Sequence, residues 1–114
     1  MTVFDGIEPP QPTQERDDIA QIAHFNGLDS QLEKLAEECA EVVQAALKYK
    51  RNRDTTTMVH LAEEIGDAQI LMDQIAVLCP EIPEYSRMCR ALKIKRELDR
   101  IEEQQPKEIG NGTN

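Results

Sequence analysis

The sequence predicts an all-α fold, a small four-helix bundle with short connections. Three observations predict it. Apolar residues recur at three- and four-residue steps over four stretches of the chain. No stretch alternates with the two-residue period of a strand, and no segment repeats. Prolines and an Asn-Gly pair lie between the periodic stretches, where helices have to stop and start.

Residues 1–12 carry Pro9, Pro10 and Pro12 without periodicity and read as a flexible N-terminal arm. The folded domain is expected over 13–105. Thr13 is placed to cap a first helix running to about His24, with Ile19, Ile22 and Ala23 inward. Asn26-Gly27 then forms a stop signal, because both residues tolerate the left-handed backbone. Ser30-Gln31-Leu32-Glu33 has the form of a capping box. The second helix is expected to run from there to about Arg51, with Leu28, Leu32, Leu35, Cys39, Val42, Val43 and Ala46 on its apolar side. Lys48, Lys50, Arg51 and Arg53 gather where the dipole favours cations.

Asp54-Thr55-Thr56-Thr57 is a polar start signal for a third helix. Its stripe is Met58, Leu61, Ala62, Ile65, Ala68, Leu71, Met72, Ile75 and Leu78, and Pro80 stops it. Pro83 is well placed to open a fourth helix over about 84–104, with Met88, Ala91, Ile94, Leu98 and Ile101 inward. The tail over 106–114 reads as disordered. Helices two and three are apolar over a wider arc than one small chain can cover. They are therefore expected to form the core of a homodimer, packing across its two-fold axis.

The chain has 114 residues, enough for one domain with a modest core. No apolar run reaches membrane-spanning length and no leader is evident, so a cytoplasmic protein with no membrane partner is expected. Cys39, Cys79 and Cys89 lack metal-ligand spacing and read as reduced thiols. A net charge of -9 argues against a binder of nucleic acid or anionic membranes. It leaves a phosphorylated small molecule open, since a bound cation reverses the local field.

The most informative residues are acidic. Glu38 and Glu41, and Glu64 and Asp67, are two pairs at i, i+3 spacing, each on one side of its own helix. With Glu64 set at zero and ~100° per residue, the stripe of the third helix centres roughly 50° away, so Glu64 lies inside it. Asp67 falls at about 300°, near His60 at about 320°, whereas Glu63 at about 260° points to solvent. An isolated ionised carboxylate in an apolar stripe is costly. Converging carboxylates around Mg²⁺ remove that cost, because the ion takes oxygen ligands and keeps waters. On the second helix the wheel ranks Glu37, Glu38 and Glu41 less sharply, and pairing with Lys34 and Lys48 on a charged outer face is an equal reading. Lys93 and Arg96, at i, i+3 on the fourth helix, are candidates to clamp phosphate.

The segment Glu37-Glu38-x-x-Glu41, a spacer of 22 residues, then Glu64-x-x-Asp67 resembles the all-α nucleoside triphosphate pyrophosphohydrolases of the MazG-like type. Phe25-Asn26-Gly27 followed by Gln31, Ala45-Ala46-Leu47, Glu63-Glu64-Ile65-Gly66-Asp67, Lys93-x-x-Arg96 and Arg100-Ile101 extend the resemblance over about residues 24–101. The resemblance implies a hydrolase that converts a standard or non-standard nucleoside triphosphate to monophosphate and pyrophosphate, a nucleotide-housecleaning activity. It implies Mg²⁺ as cofactor, with Mn²⁺ as substitute, and a dimer or tetramer. By position, Glu38, Glu41, Glu64 and Asp67 match the metal ligands. Glu37, Glu38 and Glu41 match the catalytic segment, with Glu37 suited to orient or deprotonate the water, and Gln31, Lys93 and Arg96 match substrate-binding positions. Two departures stand out: few aromatics are present to hold a base, and the loop between the acidic helices is short.

Two other classes compete. A di-iron bundle would want Glu-x-x-His motifs, and neither His24 nor His60 has Glu three residues before it. A non-catalytic helical adaptor would carry the acids as surface decoration. The inward place of Glu64 argues against it.

Overall fold

The structure is a computed structural model, and it describes residues 5–9 and 11–105. The expected arm falls partly, and the expected tail over 106–114 wholly, outside those residues. Four helices are formed: α1 (Pro12–Asn26), α2 (Leu28–Arg51), α3 (Thr55–Leu78) and α4 (Glu81–Gln104). Among the described residues there is no strand, and no helix is long and apolar enough to cross a membrane. The chain divides into two compact units, Met1–Pro80 and Glu81–Asn114.

In the first unit α2 packs mainly on α3, and α1 packs on α3 with a smaller contact to α2. Only residues 52–54 separate α2 from α3, so the two run antiparallel. The least exposed positions of α2 are Gln31, Leu35, Glu38, Val42, Ala45 and Tyr49. They recur at alternating steps of three and four, the spacing of a helix-packing seam. On α3 the matching row is Leu61, Glu64, Ala68, Leu71, Ile75 and Leu78. The buried apolar core is small: Ala23, Ala45, Ala68, Leu71 and Ile75. Alanines at these points let the backbones approach closely, at the cost of little apolar area.

The start and stop signals resolve in detail. Gly27, at φ +81°, both ends α1 and begins α2. Its N–H donates to the Ala23 carbonyl at 2.9 Å, and its own carbonyl accepts from the Gln31 N–H at 3.2 Å. A residue with a Cβ is strained at that φ. Because Gly27 turns the chain so tightly, α2 begins at Leu28 and Ser30 lies in its first turn rather than at its cap. The expected Ser30 capping box is therefore not formed. Thr13 likewise lies inside α1, which starts with Pro12 at a position where the missing N–H costs nothing. At α3 the polar signal is borne out. Asp54 Oδ1 accepts the Thr57 N–H at 2.9 Å, and Thr57 Oγ1 accepts the Asp54 N–H at 3.2 Å. This is a reciprocal capping box with Thr in the third position. The Cys79 N–H closes α3 on the Ile75 carbonyl at 2.8 Å, directly before Pro80.

The apolar expectations need correction. Leu28, Leu32, Cys39, Val43 and Ala46 were expected inward on α2, yet all are exposed. On α3, Met58, Ala62, Ile65 and Met72 are exposed too. The reason is that each helix carries two adjacent apolar faces, and the chain covers one. With the seam of each helix at zero, Leu32, Cys39 and Val43 lie at roughly 80–120°, and Met58, Ile65 and Met72 at roughly 60–100°. For antiparallel right-handed helices, equal rotation in the same sense leads to the same side of the hairpin. Asp67 and Glu41 lie at about −80° on their wheels, on the opposite side.

In the second unit α4 buries none of its residues, and Met88, Ile94, Leu98 and Ile101 are exposed. Among the described residues no other helix belongs to that unit, so the expected inward positions have no described partner within it. Along α4 Lys95 pairs with Asp99 at 3.2 Å, and Arg100 pairs with Glu97.

The α3 cap makes a prediction. The Thr57 backbone N–H, above all, holds the Asp54 carboxyl below its ordinary value. A carboxyl whose pKa falls on folding adds stability above its unfolded pKa, and loses it as pH falls through the folded value. Asp54→Ala is therefore expected to melt below the parent at neutral pH, and the gap should close as pH drops through the carboxylate range. Asp54→Asn should keep most of the melting temperature, since Asn caps comparably. Calorimetry across pH checks this; a gap independent of pH would remove the charge from the account.

Candidate metal centre

The seam between α2 and α3 explains how the acidic residues meet. Glu38 and Glu64 occupy seam positions that an apolar residue would ordinarily take. Their side chains are only 16% exposed each. Being on antiparallel helices, they face each other across the seam, and Asp67 joins them from one turn further along α3. Oxygens of Glu38, Glu64 and Asp67 all lie within 4.8 Å of one another. Among the described residues this is the group of acidic, histidine or cysteine side chains arranged to hold a cation.

Electrostatics make such a triad uncomfortable when alone. Two unit charges 4.8 Å apart repel by about 1 kcal/mol in water and about 3–4 kcal/mol at an effective dielectric near 20. The Lys34 ammonium relieves part of this, and His60 lies beside Glu64. Lys34 Nζ lies 3.7 Å from Glu38 Oε1, and His60 Nε2 lies 3.3 Å from Glu64 Oε1. Both are i, i+4 neighbours in which the nitrogen precedes the carboxylate. Asp67 is exposed and closes the group on the solvent side.

The donor set fits a hard divalent cation. A point equidistant from three oxygens 4.8 Å apart lies about 2.8 Å from each, against about 2.0–2.1 Å for Mg²⁺ and about 2.3–2.6 Å for Ca²⁺. Closure by less than about 1 Å, or an intervening water, brings them into range.

The sequence-predicted residues divide clearly. Glu38, Glu64 and Asp67 come together. Glu41 is exposed and stands outside the triad, although its wheel position relative to Glu38 matches that of Asp67 relative to Glu64. Glu37 is exposed as well, its Oε1 3.9 Å from Lys34 Nζ, so the outer-face pairing with Lys34 is present for both Glu37 and Glu38. Glu63 is exposed, as its wheel position requires. His60 meets Glu64 and not Asp67, since four residues bring it over its neighbour more closely than seven. The sequence reading passed over this contact, although the i, i+4 spacing carried it.

Gln31 is buried, and its Oε1 has no hydrogen-bond partner. The residue lines a cavity of about 270 Å³ with Asn26, Ser30, Glu33, Lys34 and Glu37. A buried amide acceptor without a partner is costly in a folded chain. Lys93 and Arg96 do lie together, lining a depression on α4 with Glu97 and Arg100.

The triad predicts opposite signs for one substitution. Asp67→Asn removes a charge that has no basic partner among the described residues, so in chelator it should raise stability by about 0.5–1 kcal/mol, less in high salt. In millimolar Mg²⁺ the same variant should fall below the parent, because a ligand is lost. Paired melting curves in EDTA and Mg²⁺ read both signs. Equal shifts in the two buffers would mean that the triad does not hold the ion.

Comparison with known proteins adds no relative: no protein-family model, no curated protein and no solved structure matches the chain.

Proposed function

We propose that this protein is a hydrolase that cleaves a nucleoside triphosphate to monophosphate and pyrophosphate, in the manner of the MazG-like enzymes that its acidic segments resemble. The observation that carries the reading is the carboxylate triad of Glu38, Glu64 and Asp67, set into a packing seam and open on one side. Glu38 and Glu64 are largely shielded from solvent, and a bound cation would offset the repulsion among the three carboxylates. When bound, Mg²⁺ or Mn²⁺ would offset the charge of a polyphosphate and acidify a water for attack on phosphorus.

The chain's own residues then take distinct parts. Glu38, Glu64 and Asp67 hold the ion, and Glu41, one turn from Glu38, completes the set by swinging inward. Glu37, exposed beside Lys34, is assigned to accept the proton of the attacking water. The Gln31 cavity lies two turns before Glu38, about 10 Å along the helix at ~1.5 Å per residue. That span suits a base held at one end and phosphates at the other. The Gln31 amide would satisfy its vacant acceptor on a base N–H. On α4, Lys93 and Arg96 form a separate basic pair of the kind that grips phosphate oxygens.

The uncovered face of Leu32, Cys39, Val43, Met58, Ile65 and Met72 supports a homodimer with α2 and α3 at its two-fold axis. The six side chains named carry no charge, and so meet their own copy without repulsion. Light scattering should give twice the chain mass, and Ile65→Asp should halve it. A parent that scatters as a monomer at micromolar concentration would rule the dimer out.

The deciding assay is incubation with a panel of standard and modified triphosphates and Mg²⁺. Monophosphate and pyrophosphate are expected in equal amounts, and Glu64→Gln should lower turnover by at least about 10³-fold while keeping the helical circular dichroism. Release of single phosphate contradicts the assigned cleavage. The exposed position of Glu41 favours one second reading, a non-catalytic helical binding module. It predicts bound nucleotide and no product from any member of the panel.

A further inference from the structure

A groove with a cavity of about 340 Å³ lies between α1 and α3, and the function proposed above makes no use of it. Ile19, Ile22 and Ile70 give it an apolar lining. Glu15 and Asp18 stand on its α1 side and Asp73 on its α3 side, and no lining residue is basic. Gln14 Nε2 donates to Asp18 Oδ1 at 2.8 Å, and among the described residues none of the three acids is ion-paired. On the α3 wheel Gly66, Ile70 and Asp73 fall roughly 180–240° from Glu64, whereas Ile65 falls at about 100°. The groove is therefore apart from both the acidic seam and the apolar patch around Ile65.

Gly66 also lines the groove, in the middle of α3. Glycine is a poor helix residue, so a mid-helix glycine weakens its helix relative to alanine. A Cβ at Gly66 would meet nothing within 4 Å. No described neighbour therefore demands the glycine, while its bare backbone leaves room for another chain to approach closely.

We propose that this groove receives α4 of a second copy of the chain. Residues 85–96 of α4 carry Arg87, Arg90, Lys93, Lys95 and Arg96 and no acid. Tyr85, Met88 and Leu92 recur at i, i+3, i+7 and are 51–65% exposed. At ~100° per residue they form a stripe about 60° wide, with Lys95 and Arg96 roughly 50° to either side of its centre. An apolar stripe flanked by cations thus matches an apolar groove flanked by acids. The lengths agree as well, since residues 15–22, 66–73 and 85–92 each span about 10 Å of helix. Each copy offers one groove and one α4, so two copies satisfy each other reciprocally. The inference does not rest on the hydrolase reading, and either can fail alone.

Three apolar anchors make a contact smaller than a stable interface, so it forms above the micromolar range. The experiment is sedimentation equilibrium of full-length Ile65→Asp, whose apolar α2–α3 patch is blocked, from micromolar to about millimolar concentration. Expected is a monomer at the low end and a reversible dimer as concentration rises. In this background Asp18→Lys with Asp73→Lys, and separately Lys95→Glu with Arg96→Glu, should each weaken that dimer at least about 10-fold. Mixing the two reversed proteins should restore it to within about 3-fold, because every groove then meets an α4 of opposite charge. Gly66→Met fills the groove, and should weaken the dimer at least about 10-fold without lowering the melting temperature. A protein that stays monomeric up to the highest concentration overturns the proposal. So does a dimer that neither reversal nor Gly66→Met affects. Failure of the mixture to recover, with recovery when both reversals share one chain, overturns the assignment to a second copy. An Ile65→Asp protein already dimeric at micromolar concentration would instead count against the α2–α3 dimer, and the mixing result would still decide this proposal. Circular dichroism of each variant separates these outcomes from misfolding.

Discussion

The seam between α2 and α3 governs everything else in the first unit. It is built from antiparallel helices joined by three residues, with alanines at Ala45 and Ala68 allowing close approach. Into this seam the sequence puts two glutamates, one per helix. A packing seam is a poor place for a carboxylate, because desolvation disfavours its charge. Here that disadvantage is moderated in three ways: a partial opening to solvent at Asp67, the Lys34 contact, and the length of the glutamate side chain. The result is a concentrated negative field held on rigid backbone, which is what a hard cation site requires.

The same geometry separates two kinds of surface. Rotation one way from the seam leads to Leu32, Cys39, Val43, Met58, Ile65 and Met72. Rotation the other way leads to Glu41, His60 and Asp67. An apolar side and an acidic side therefore lie back to back on one hairpin. In the proposed dimer the first is consumed by assembly and the second is left open to substrate. The small buried core follows from this arrangement: much of the apolar surface of α2 and α3 is directed away from their common seam.

Much of the fold was legible in the residues. Asn26-Gly27, the Asp54 signal and Pro80 fixed the helix boundaries to within a few residues, because each acts through local backbone chemistry. Two caps were misread for an equally local reason. Gly27 turns the chain more tightly than a Ser30 cap would need, and Pro12 opens α1 before Thr13. At the site, the wheel separated Glu64 from Glu63, since those neighbours differ by a full ~100°. It could not rank Glu37, Glu38 and Glu41, because the apolar arc of α2 is so wide that its centre does not mark the seam. The structure ranks them by burial, with Glu38 alone in the seam.

The sequence by itself determined the four helices, most of their ends and the i, i+3 acidic pairs on α2 and α3, all properties set by neighbours within about one turn. Tertiary structure decided which half of each wide apolar arc would be covered. It thereby decided that Glu38, Glu64 and Asp67 would converge while Glu41 stayed outside, and that His60 would rest on Glu64. Periodicity states that a face is apolar. Which of two apolar faces meets its neighbour depends on how closely two particular helices can approach, and that is a property of the pair.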